Sequence, residues 1–542
     1  MKAAPSWVSL LRRTPRRAWA AACCLVLVAL PAYGSGQLEA IRQRGVLVVG
    51  VKTDYPPFGM LSSAAVQEGF EHDLAADLAA RLGVQLRTVG VSSTNRLQVL
   101  DDGRVDVTIA TLGDTAERRQ IATLVEPDYY SSGVALMTRP DSNLQHWSEL
   151  RGQTVCAIQG SYFNRTMALR YLLNLQIYAN GRDAKMAVRD ARCRGWLFDN
   201  TAIAGDLLSP EWHDYQIRLP PELMTPWAIA IARSERGGAL ERLVGDTVAQ
   251  WHRQGTLLAL ERKWGLPPSP FLAQMQVLWN EKDADGRYLC RRQADGQWPV
   301  VCRNQIFVMS ADVVGLRRWG LRLYEKTGIN LTYIYDDYER REFLHGIAMT
   351  LALTFSCVTG SLLLGIALAW LALRTPPAIG AAVRSVALVM RMTPPLLQIY
   401  VLLFGVGSAV AARWGLQFSA FWIVVLCLSA YTGSGLMHIL DNEVREAWRS
   451  TPGLVLDLPG LLHLMGRSSA SVTASLVNVA KATMIASAVA VPELLSVSTS
   501  IIAEHGNVAT MMNTLMLFFV LLIFGVLHVL RRLQSRGDHE RA

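Results

Sequence analysis

The feature that most constrains this chain is a long apolar run in its second half. Residues 346–373 contain no Asp, Glu, Lys or Arg, and about 20 consecutive apolar residues suffice for a helix to cross a bilayer. Similar runs at 386–410, 418–440, 470–491 and 508–530 predict about five transmembrane helices in all. We therefore expect a multidomain protein whose second half is an all-α membrane domain.

The first 36 residues have the order of a secretory signal peptide. Five basic residues among the first 17 are followed by an apolar run at 18–30 and by small residues around Gly34. An uncleaved anchor of similar composition is the alternative. Export to an oxidising compartment permits disulfides, and the expected pairs are Cys156 with Cys193 and Cys290 with Cys302, although spacing alone does not fix the connectivity.

The formal net charge of +9 does not indicate nucleic-acid binding. Much of the excess lies in the signal segment and at the C-terminus, where membrane proteins keep cytoplasmic cations, and there is no basic stripe with interleaved aromatic residues. The sequence also contains no GxxxxGK[ST] motif and no recognisable nucleophile and base pair. We expect no enzyme activity, no bound cofactor and no metal, with any ATP hydrolysis on a separate chain.

From Gly45 onward, strand patterns alternate with helix patterns. Residues 45–51 and 84–91 have the apolar composition of strands, and 73–82 repeats leucine at helical spacing before Gly83. Such alternation predicts an α/β domain with a largely parallel sheet, whose ligands bind beyond the carboxyl ends of the strands.

Four loops fall at those strand ends and carry the candidate ligand-binding residues. In chain order these are Tyr55 and Phe58; Thr111, Gly113 and Arg118; Ser161 and Tyr162; and Asp199. Asp114 and Glu117 have capping-box spacing, which would place Arg118 in the first turn of a helix, where a carboxylate meets both backbone N–H groups and a guanidinium. Taken alone, Arg118 fits an ordinary surface arginine, and Asp199 an ordinary helix cap.

Arg118 and Asp199 together suit an α-amino acid. A zwitterion needs donors for its carboxylate and an acceptor for its ammonium group. An arginine on one loop and an aspartate on another supply both, and Tyr55 would lie over the ligand side chain.

The segment from Gly45 to about Pro270 resembles the periplasmic solute-binding proteins for polar amino acids. The resemblance rests on GVLVVGVKTDYPPF, GFEHDLAADLAARLGV, IATLGDTAER, EPDYYSSGVAL, LRGQTVCAIQGS and WHRQGTLLALERKWG, in this order. It implies two lobes that close on the ligand, with Arg118 holding the ligand carboxylate, Asp199 the amine and Tyr55 the side chain. Gly113 and Tyr162 depart from the family, which commonly has a hydroxyl residue and a threonine there.

The segment 271–342 is not explained by this resemblance. Arg287 to Cys302 can form a hairpin, Asp312 to Lys326 reads as a helix, and Ile329 to Tyr335 as a strand. It is too rich in aromatic residues and cysteine for a flexible tether. We expect a linker or small extra module of unknown role.

In the membrane half, an odd number of crossings places the basic C-terminus inside if the first domain lies outside, and Arg374 and Arg384 then lie in a cytoplasmic loop. Arg391 and Lys481 fall within apolar segments, where charges belong in a protein interior or near a translocation path, although Arg391 alone fits a structural role equally well.

This half resembles the permease subunits of polar amino-acid ABC importers. The resemblance rests on HGIAMTLALTF, MTPPLLQIYVLLFG and KATMIASAVAVPELL, and it makes Pro394, Lys481, Pro492 and Glu493 the candidate translocation residues. It implies a permease homodimer in the bacterial inner membrane that works with a separate ABC ATPase. The expected coupling loop is represented by Glu446, Ala447 and Gly453 and is shortened.

The sequence therefore predicts five segments: a signal peptide (1–36), a two-lobed amino-acid-binding domain (37–270), a linker or module (271–342), a permease domain (343–535) and a cytoplasmic tail (536–542). The predicted function is import of a polar or charged amino acid. The alternative is a membrane-anchored sensor that binds the amino acid without ATP-driven transport, because the coupling loop is short.

Overall fold

The computed structural model describes residues 36–304, 315–327, 329–451 and 456–539. Residues 1–35 of the predicted signal peptide and Gly453 lie outside the described residues. The described chain forms an α/β part followed by an all-helical part, which confirms the predicted fold class.

Twelve strands form two sheets in the described α/β part. They are β1 Val46–Lys52, β2 Asp54–Tyr55, β3 Gly59–Leu61, β4 Gln67–Glu68, β5 Gln85–Val91, β6 Val107–Ile109, β7 Thr123–Thr138, β8 Thr154–Ile158, β9 Asn174–Tyr178, β10 Trp196–Asp199, β11 Gln216–Ile217 and β12 Glu222–Ile231. The helices of this part are α1 Gln37–Arg44, α2 Phe70–Leu82, α3 Arg96–Asp101, α4 Arg118–Ile121, α5 Asn164–Tyr171, α6 Gly181–Arg189, α7 Asn200–Leu207, α8 Ala239–Gln254, α9 Thr256–Lys263 and α10 Pro270–Asn280.

The large sheet has the order β5-β1-β6-β12-β7-β10-β8-β9, with β11 beside β7. Strands β5, β1 and β6 are parallel and form the first lobe, whereas β10, β8 and β9 are parallel and form the second. Two long antiparallel strands, β7 and β12, cross between the lobes. The lobes are therefore joined by a two-stranded connection about which they can open and close.

Residues after the expected domain end at 270 pack on the first lobe. Trp279 of α10 is fully buried, and the indole Nε1 of Trp298 donates to the carbonyl of Glu126 at 2.9 Å. The structure joins Cys290 to Cys302 and Cys156 to Cys193. Of the predicted hairpin, the turn around Asp295 and the closing disulfide form, because the N–H of Gln293 donates to the carbonyl of Gln297 at 2.8 Å. The two strands do not form, and residues 287–302 are turns that include one 3₁₀ turn.

Two further elements precede the long apolar helices: α11 Gly315–Thr327 and α12 Thr332–Tyr335. The first overlaps the helix predicted at 312–326 and ends one residue beyond it. The second replaces the strand predicted at 329–335, because Oδ1 of Asn330 accepts the backbone N–H of Thr332 at 3.1 Å and starts a helical turn. Such a local side-chain bond competes with strand pairing.

The all-helical part contains nine α-helices among the described residues. They are α13 Asp337–Arg374, α14 Pro377–Met392, α15 Pro395–Tyr400, α16 Gly407–Trp414, α17 Ala420–Ser450, α18 Leu458–Arg467, α19 Ser469–Ala482, α20 Leu494–His505 and α21 Val508–His539. Four described helical segments are long and apolar enough to cross a membrane, and a bent pair raises the number to five. Helix α19 continues as a 3₁₀ segment, Thr483–Val489.

The bent pair corrects the second predicted span, 386–410, which is not one straight helix. The axes before Met392 and after Pro395 differ by 101°. Two successive prolines at 394 and 395 supply no N–H group for the helix ladder. The side-chain amide of Gln398 donates to the freed carbonyls of Met390, at 2.8 Å, and Thr393, at 3.0 Å.

Small residues bring α13 and α17 close together. A Cβ built on Gly365 would lie 2.7 Å from the Cβ of Leu436, and one built on Gly433 would lie 3.1 Å from the carbonyl of Ser361. Close approach of this kind is how membrane helices gain contact area in the absence of a hydrophobic driving force.

The second lobe of the α/β part makes hydrogen bonds to one end of the helical part. Nε2 of Gln159 lies 3.3 Å from both the carbonyl and the hydroxyl of Ser496, and Arg165 lies 3.0 Å from the carboxylate of Asp336. At a second patch, the hydroxyl of Ser408 donates to Asp190 at 2.5 Å. These contacts join a ligand-facing loop directly to the helices.

Candidate functional site

The four predicted loops meet in the cleft between the lobes. They follow the carboxyl ends of β1, β6, β8 and β10, as expected for a parallel arrangement. Arg118 and Tyr55 belong to the first lobe, and Ser161 and Asp199 to the second. All four are at least 94% buried, so the lobes of this structure are closed over them.

Arg118 connects the lobes with its guanidinium. Nη1 donates to the carbonyl of Gly113 and Nη2 to that of Gly160, both at 3.0 Å. Burial lowers the pKa of Arg118 to about 9, with Arg96 acting in the same direction. Within the described residues Nε has no hydrogen-bond partner, so this cation keeps donor capacity for an anion.

The predicted capping box at Arg118 is wrong. Asp114 does not cap a helix but pairs with Arg119 and accepts a hydrogen bond from Asn304 at 2.7 Å. Glu117 makes no side-chain cap, and α4 is one turn of four residues. The guanidinium and the loop backbone, rather than a helix end, are therefore the groups available to a carboxylate.

Asp199 is a buried acceptor at the end of β10. It directly precedes α7, yet its side chain makes no cap hydrogen bond, so an ordinary cap does not account for it. Its Oδ1 has no partner among the described residues. Burial raises the pKa of Asp199 to about 6, although Tyr55, Arg96 and Arg118 favour the charged form.

Aromatic rings form one wall of the cleft. The Tyr55 hydroxyl lies 3.0 Å from Oγ1 of Thr201 across the cleft, and its ring lies edge to face with Trp227 at 5.9 Å. Phe58 is completely buried and packs against Phe70 and Trp227. Phe58 therefore lies in the core behind the wall, whereas Tyr55 belongs to the wall and bridges the cleft through its hydroxyl.

The two departures from the expected pattern, Gly113 and Tyr162, are coupled. A Cβ built on Gly113 would lie 2.9 Å from Cδ1 of Tyr162 and 3.3 Å from Nη1 of Arg118. The Tyr162 ring also lies 5.5 Å from the guanidinium carbon of Arg118, a cation–π arrangement. The ring therefore occupies the space that a hydroxyl side chain at 113 would need.

Sequence reasoning missed a buried charged group beneath the cleft. Arg96 is 3% exposed and donates through Nη1 to the carbonyls of Ala110 and Thr111, at 2.5 and 2.8 Å. Glu71 accepts the N–H of Thr111 at 2.5 Å, and burial raises the Glu71 pKa to about 7. Thr111 has φ +46°, a strained value for a β-branched residue.

These contacts hold the loop that carries Gly113 and Arg118. The available signal for Arg96 was its position just after β5, whose carboxyl end lies at the same sheet edge as the four loops.

Five buried polar atoms of the cleft lack partners among the described residues. They are Nε of Arg118, Oγ of Ser161, the hydroxyl of Tyr162, Oδ1 of Asp199 and Nε1 of Trp227. Buried polar groups are almost always hydrogen-bonded, so each such atom needs an explanation. A cation, an acceptor and neutral donors in one cleft match the two ends of an α-amino acid.

The candidate permease residues lie on three segments of the helical part: the start of α15, the end of α19 and the two residues before α20. Pro394, Lys481 and Pro492 are exposed, and Pro492 faces the cavity between the two parts. Glu493 is buried and caps α20 by accepting the N–H groups of Leu495 and Ser496, at 2.9 and 2.7 Å.

The candidate coupling residues lie at the end of α17 away from the α/β part. Glu446 is exposed, whereas Ala447 is buried in a cluster with Val444, Leu461 and Leu464. Helix α18, from the apolar stretch after Asp457, thus packs on this end of α17.

Comparison with known proteins agrees with the geometry of the cleft. Residues 47–267 match the bacterial extracellular solute-binding proteins, family 3. The L-cystine-binding protein TcyJ of Escherichia coli K12 is 26% identical over 239 residues, which are 42% of this chain and 86% of that protein. The ABC transporter glutamine-binding protein GlnH of Bacillus subtilis 168 is 25% identical over 236 residues, 42% of this chain and 84% of that protein.

A solved structure, holo ArgBP from T. maritima, is 22% identical with a TM-score of 0.38 and covers 42% of this chain and 99% of its own. The part of this chain that matches the bacterial extracellular solute-binding proteins, family 3, is therefore residues 47–267 of the α/β part.

Proposed function

We propose that this chain is an ABC-importer subunit that joins an amino-acid receptor to its permease. The observation that carries the proposal is the set of unpartnered polar atoms in the closed cleft, led by Nε of Arg118 and Oδ1 of Asp199. The names of the relatives, which are binding proteins for L-cystine and glutamine, support an amino acid as the ligand.

Capture begins when the ligand carboxylate pairs with Arg118. Asp199 accepts the ligand ammonium group, Ser161 and the Gly113 backbone lie beside the carboxylate, and Tyr55 covers the side chain. Bending of β7 and β12 lets the lobes open to admit the ligand and close over it.

Delivery uses the membrane half. The helices form a permease dimer in the inner membrane, with the binding domain on the periplasmic side and the basic end of α21 in the cytoplasm. A separate ATPase binds the ends of α17 and α18 and drives alternating access. Fusion keeps the receptor at high effective concentration near the permease.

A non-pumping receptor is the second candidate. It is favoured by the short connection between α17, which ends at Ser450, and α18, which begins at Leu458. So short a connection leaves little chain for an ATPase-binding loop.

Uptake of labelled amino acids separates the two candidates. Cells that express the chain with a candidate ABC ATPase should accumulate the label, and Arg118→Ala or omission of the ATPase should abolish accumulation. A chain that binds an amino acid but shows neither uptake nor ligand-stimulated ATP hydrolysis would instead be a receptor.

A further inference from the structure

A cavity of about 430 Å³ separates the ligand cleft from the membrane helices. Gly160 and Ser161 line it from the binding domain, and Pro492, Ser500 and Glu504 line it from the helical part. Because Gly160 also contacts Arg118 through its carbonyl, the cavity is separated from the candidate carboxylate site by a single loop.

Helix α20 lies along this boundary. Its 12 residues are too few to cross a bilayer, and its C-terminal end presses on the binding domain. A Cβ built on Gly160 would lie 3.1 Å from that of Ala503, and one built on Gly506 would lie 2.7 Å from Cγ2 of Ile121.

Both contacts fall on direct neighbours of Arg118. Gly160 accepts a hydrogen bond from its Nη2, and Ile121 ends the single turn that Arg118 begins. Glu504 lies between the two contacting residues, Ala503 and Gly506. The helix end thus brings the charge of Glu504 near enough to act on the guanidinium that is expected to hold the ligand, although no ion pair joins the two side chains among the described residues.

The charges around Glu504 come from both parts. On the binding-domain side Arg118, Arg165 and Glu117 act on it, and on its own side Glu339 and His505 do. One carboxylate oxygen each of Glu339 and Glu504 and a ring nitrogen of His505 lie within 4.8 Å of one another. Burial raises the pKa of Glu504, whereas Arg118 stabilises its ionised form.

We propose that Glu504 is a release residue, meaning that its carboxylate competes with the ligand carboxylate for Arg118 when the binding domain is docked. Two carboxylates cannot both be fully paired with one buried guanidinium, so docking lowers the affinity for the amino acid. The inference rests on the proposed function and adds how a closed, high-affinity site gives up its ligand towards the permease.

The test compares amino-acid affinity of the full chain in lipid nanodiscs before and after Glu504→Gln. The probe is whichever of the twenty standard L-amino acids and L-cystine stabilises the wild-type chain most. Coupling between sites commonly changes affinity by about 5- to 150-fold, and we expect Glu504→Gln to bind at least about fivefold more tightly and to release the ligand more slowly. Glu504→Ala should shift affinity in the same direction.

Glu342→Gln is the matched control, because Glu342 lines the same cavity but the charged groups that act on it, His345, Glu339 and Arg341, belong to the helical part. Its affinity should equal that of the wild type. An unchanged or weaker affinity in Glu504→Gln, with wild-type thermal stability, would overturn the inference while leaving the proposed function intact. Absence of binding by the wild-type chain would instead overturn the proposed function.

A second variant tests whether Glu504 acts through docking. Arg192 contacts the carbonyl of Leu403 and the ring of Phe404 at the second docking patch, so Arg192→Glu should undock the domain and itself raise affinity. Adding Glu504→Gln in that background should change affinity little. Equal effects of Glu504→Gln in both backgrounds would contradict release by docking.

Discussion

The two halves of the molecule bury different kinds of polar group. The cleft of the α/β half buries charges, including Arg96, Arg118 and Asp199, and leaves some of their atoms unpartnered among the described residues. The interface of α13 with α17 buries glycines and uncharged hydroxyls, such as Gly433 and Ser361, and the Ser361 hydroxyl is likewise unpartnered among the described residues. Buried charge is expensive unless it is paired, whereas small residues allow close helix packing. In our account, the first half therefore recognises the amino acid, and the packed helices of the second half transport it.

The largest expected effect is loss of binding in Arg118→Ala. Removal of one partner from a buried charge pair costs about 2–5 kcal/mol, which is about 30- to several-thousand-fold in affinity. Calorimetry on the full chain measures it. Arg104→Ala is the control, because Arg104 is an exposed arginine of the same lobe; equal affinity in both variants would break the assignment of the cleft.

Gly433→Leu should impair the function of the helical half and leave that of the α/β half intact. Its side chain would meet the Ser361 carbonyl and the Gly365 N–H, and overpacking of this kind costs about 1–3 kcal/mol of stability. We expect uptake to be lost while amino-acid binding is retained. Gly435→Leu is the control, since a Cβ there meets nothing within 4 Å; loss of binding in Gly433→Leu would contradict separable halves.

Gly113→Ser should weaken binding by about tenfold, which corresponds to about 1.4 kcal/mol, because its Cβ collides with the Tyr162 ring and displaces Arg118. The double variant Gly113→Ser, Tyr162→Thr removes the collision and should recover much of the affinity. Additive losses in a double-mutant cycle would show that the two positions are independent.

The smallest expected effect is a pH dependence of affinity. Because burial raises the pKa of Asp199 to about 6, the carboxyl becomes neutral as pH falls through this value and loses its attraction for the ligand ammonium. Affinity at pH 5 should be about tenfold lower than at pH 7.5. Asp199→Asn should bind weakly and without this step.

The same shift predicts a stability change of the opposite sign. A carboxyl group whose pKa is raised on folding destabilises the folded state at pH values above that pKa, and the cost shrinks as pH falls from there towards the ordinary pKa of the group. Asp199→Asn should therefore raise the melting temperature of the unliganded chain more at pH 7.5 than at pH 5. An equal shift at both pH values would contradict a buried charge.

Much of the cleft could be predicted because the ends of strands can be recognised in the sequence. Apolar runs mark β1, β6, β8 and β10, and parallel strands bring their ends together, so the loops of Tyr55, Arg118, Ser161 and Asp199 were expected to meet. The residues that hold these loops in place could not be recognised in the same way. Arg96 acts through two carbonyls of a strained loop, which no local pattern encodes.

The failed predictions have tertiary or local causes. Asp114 has the spacing of a helix cap, yet its carboxylate pairs with Arg119 and accepts a hydrogen bond from Asn304. Residues 329–335 have strand composition, yet Asn330 starts a helical turn. The prolines at 394 and 395 were visible, but the size of the 101° bend depends on packing around Gln398.

The most direct test of the account is a structure of the full chain bound to its preferred amino acid. We expect the ligand carboxylate about 3 Å from the Arg118 guanidinium nitrogens and the ammonium group about 3 Å from Asp199, with the Tyr55 ring over the side chain. A ligand bound outside the cleft, or one whose carboxylate contacts neither Arg118 nor the Gly113 loop, would contradict it.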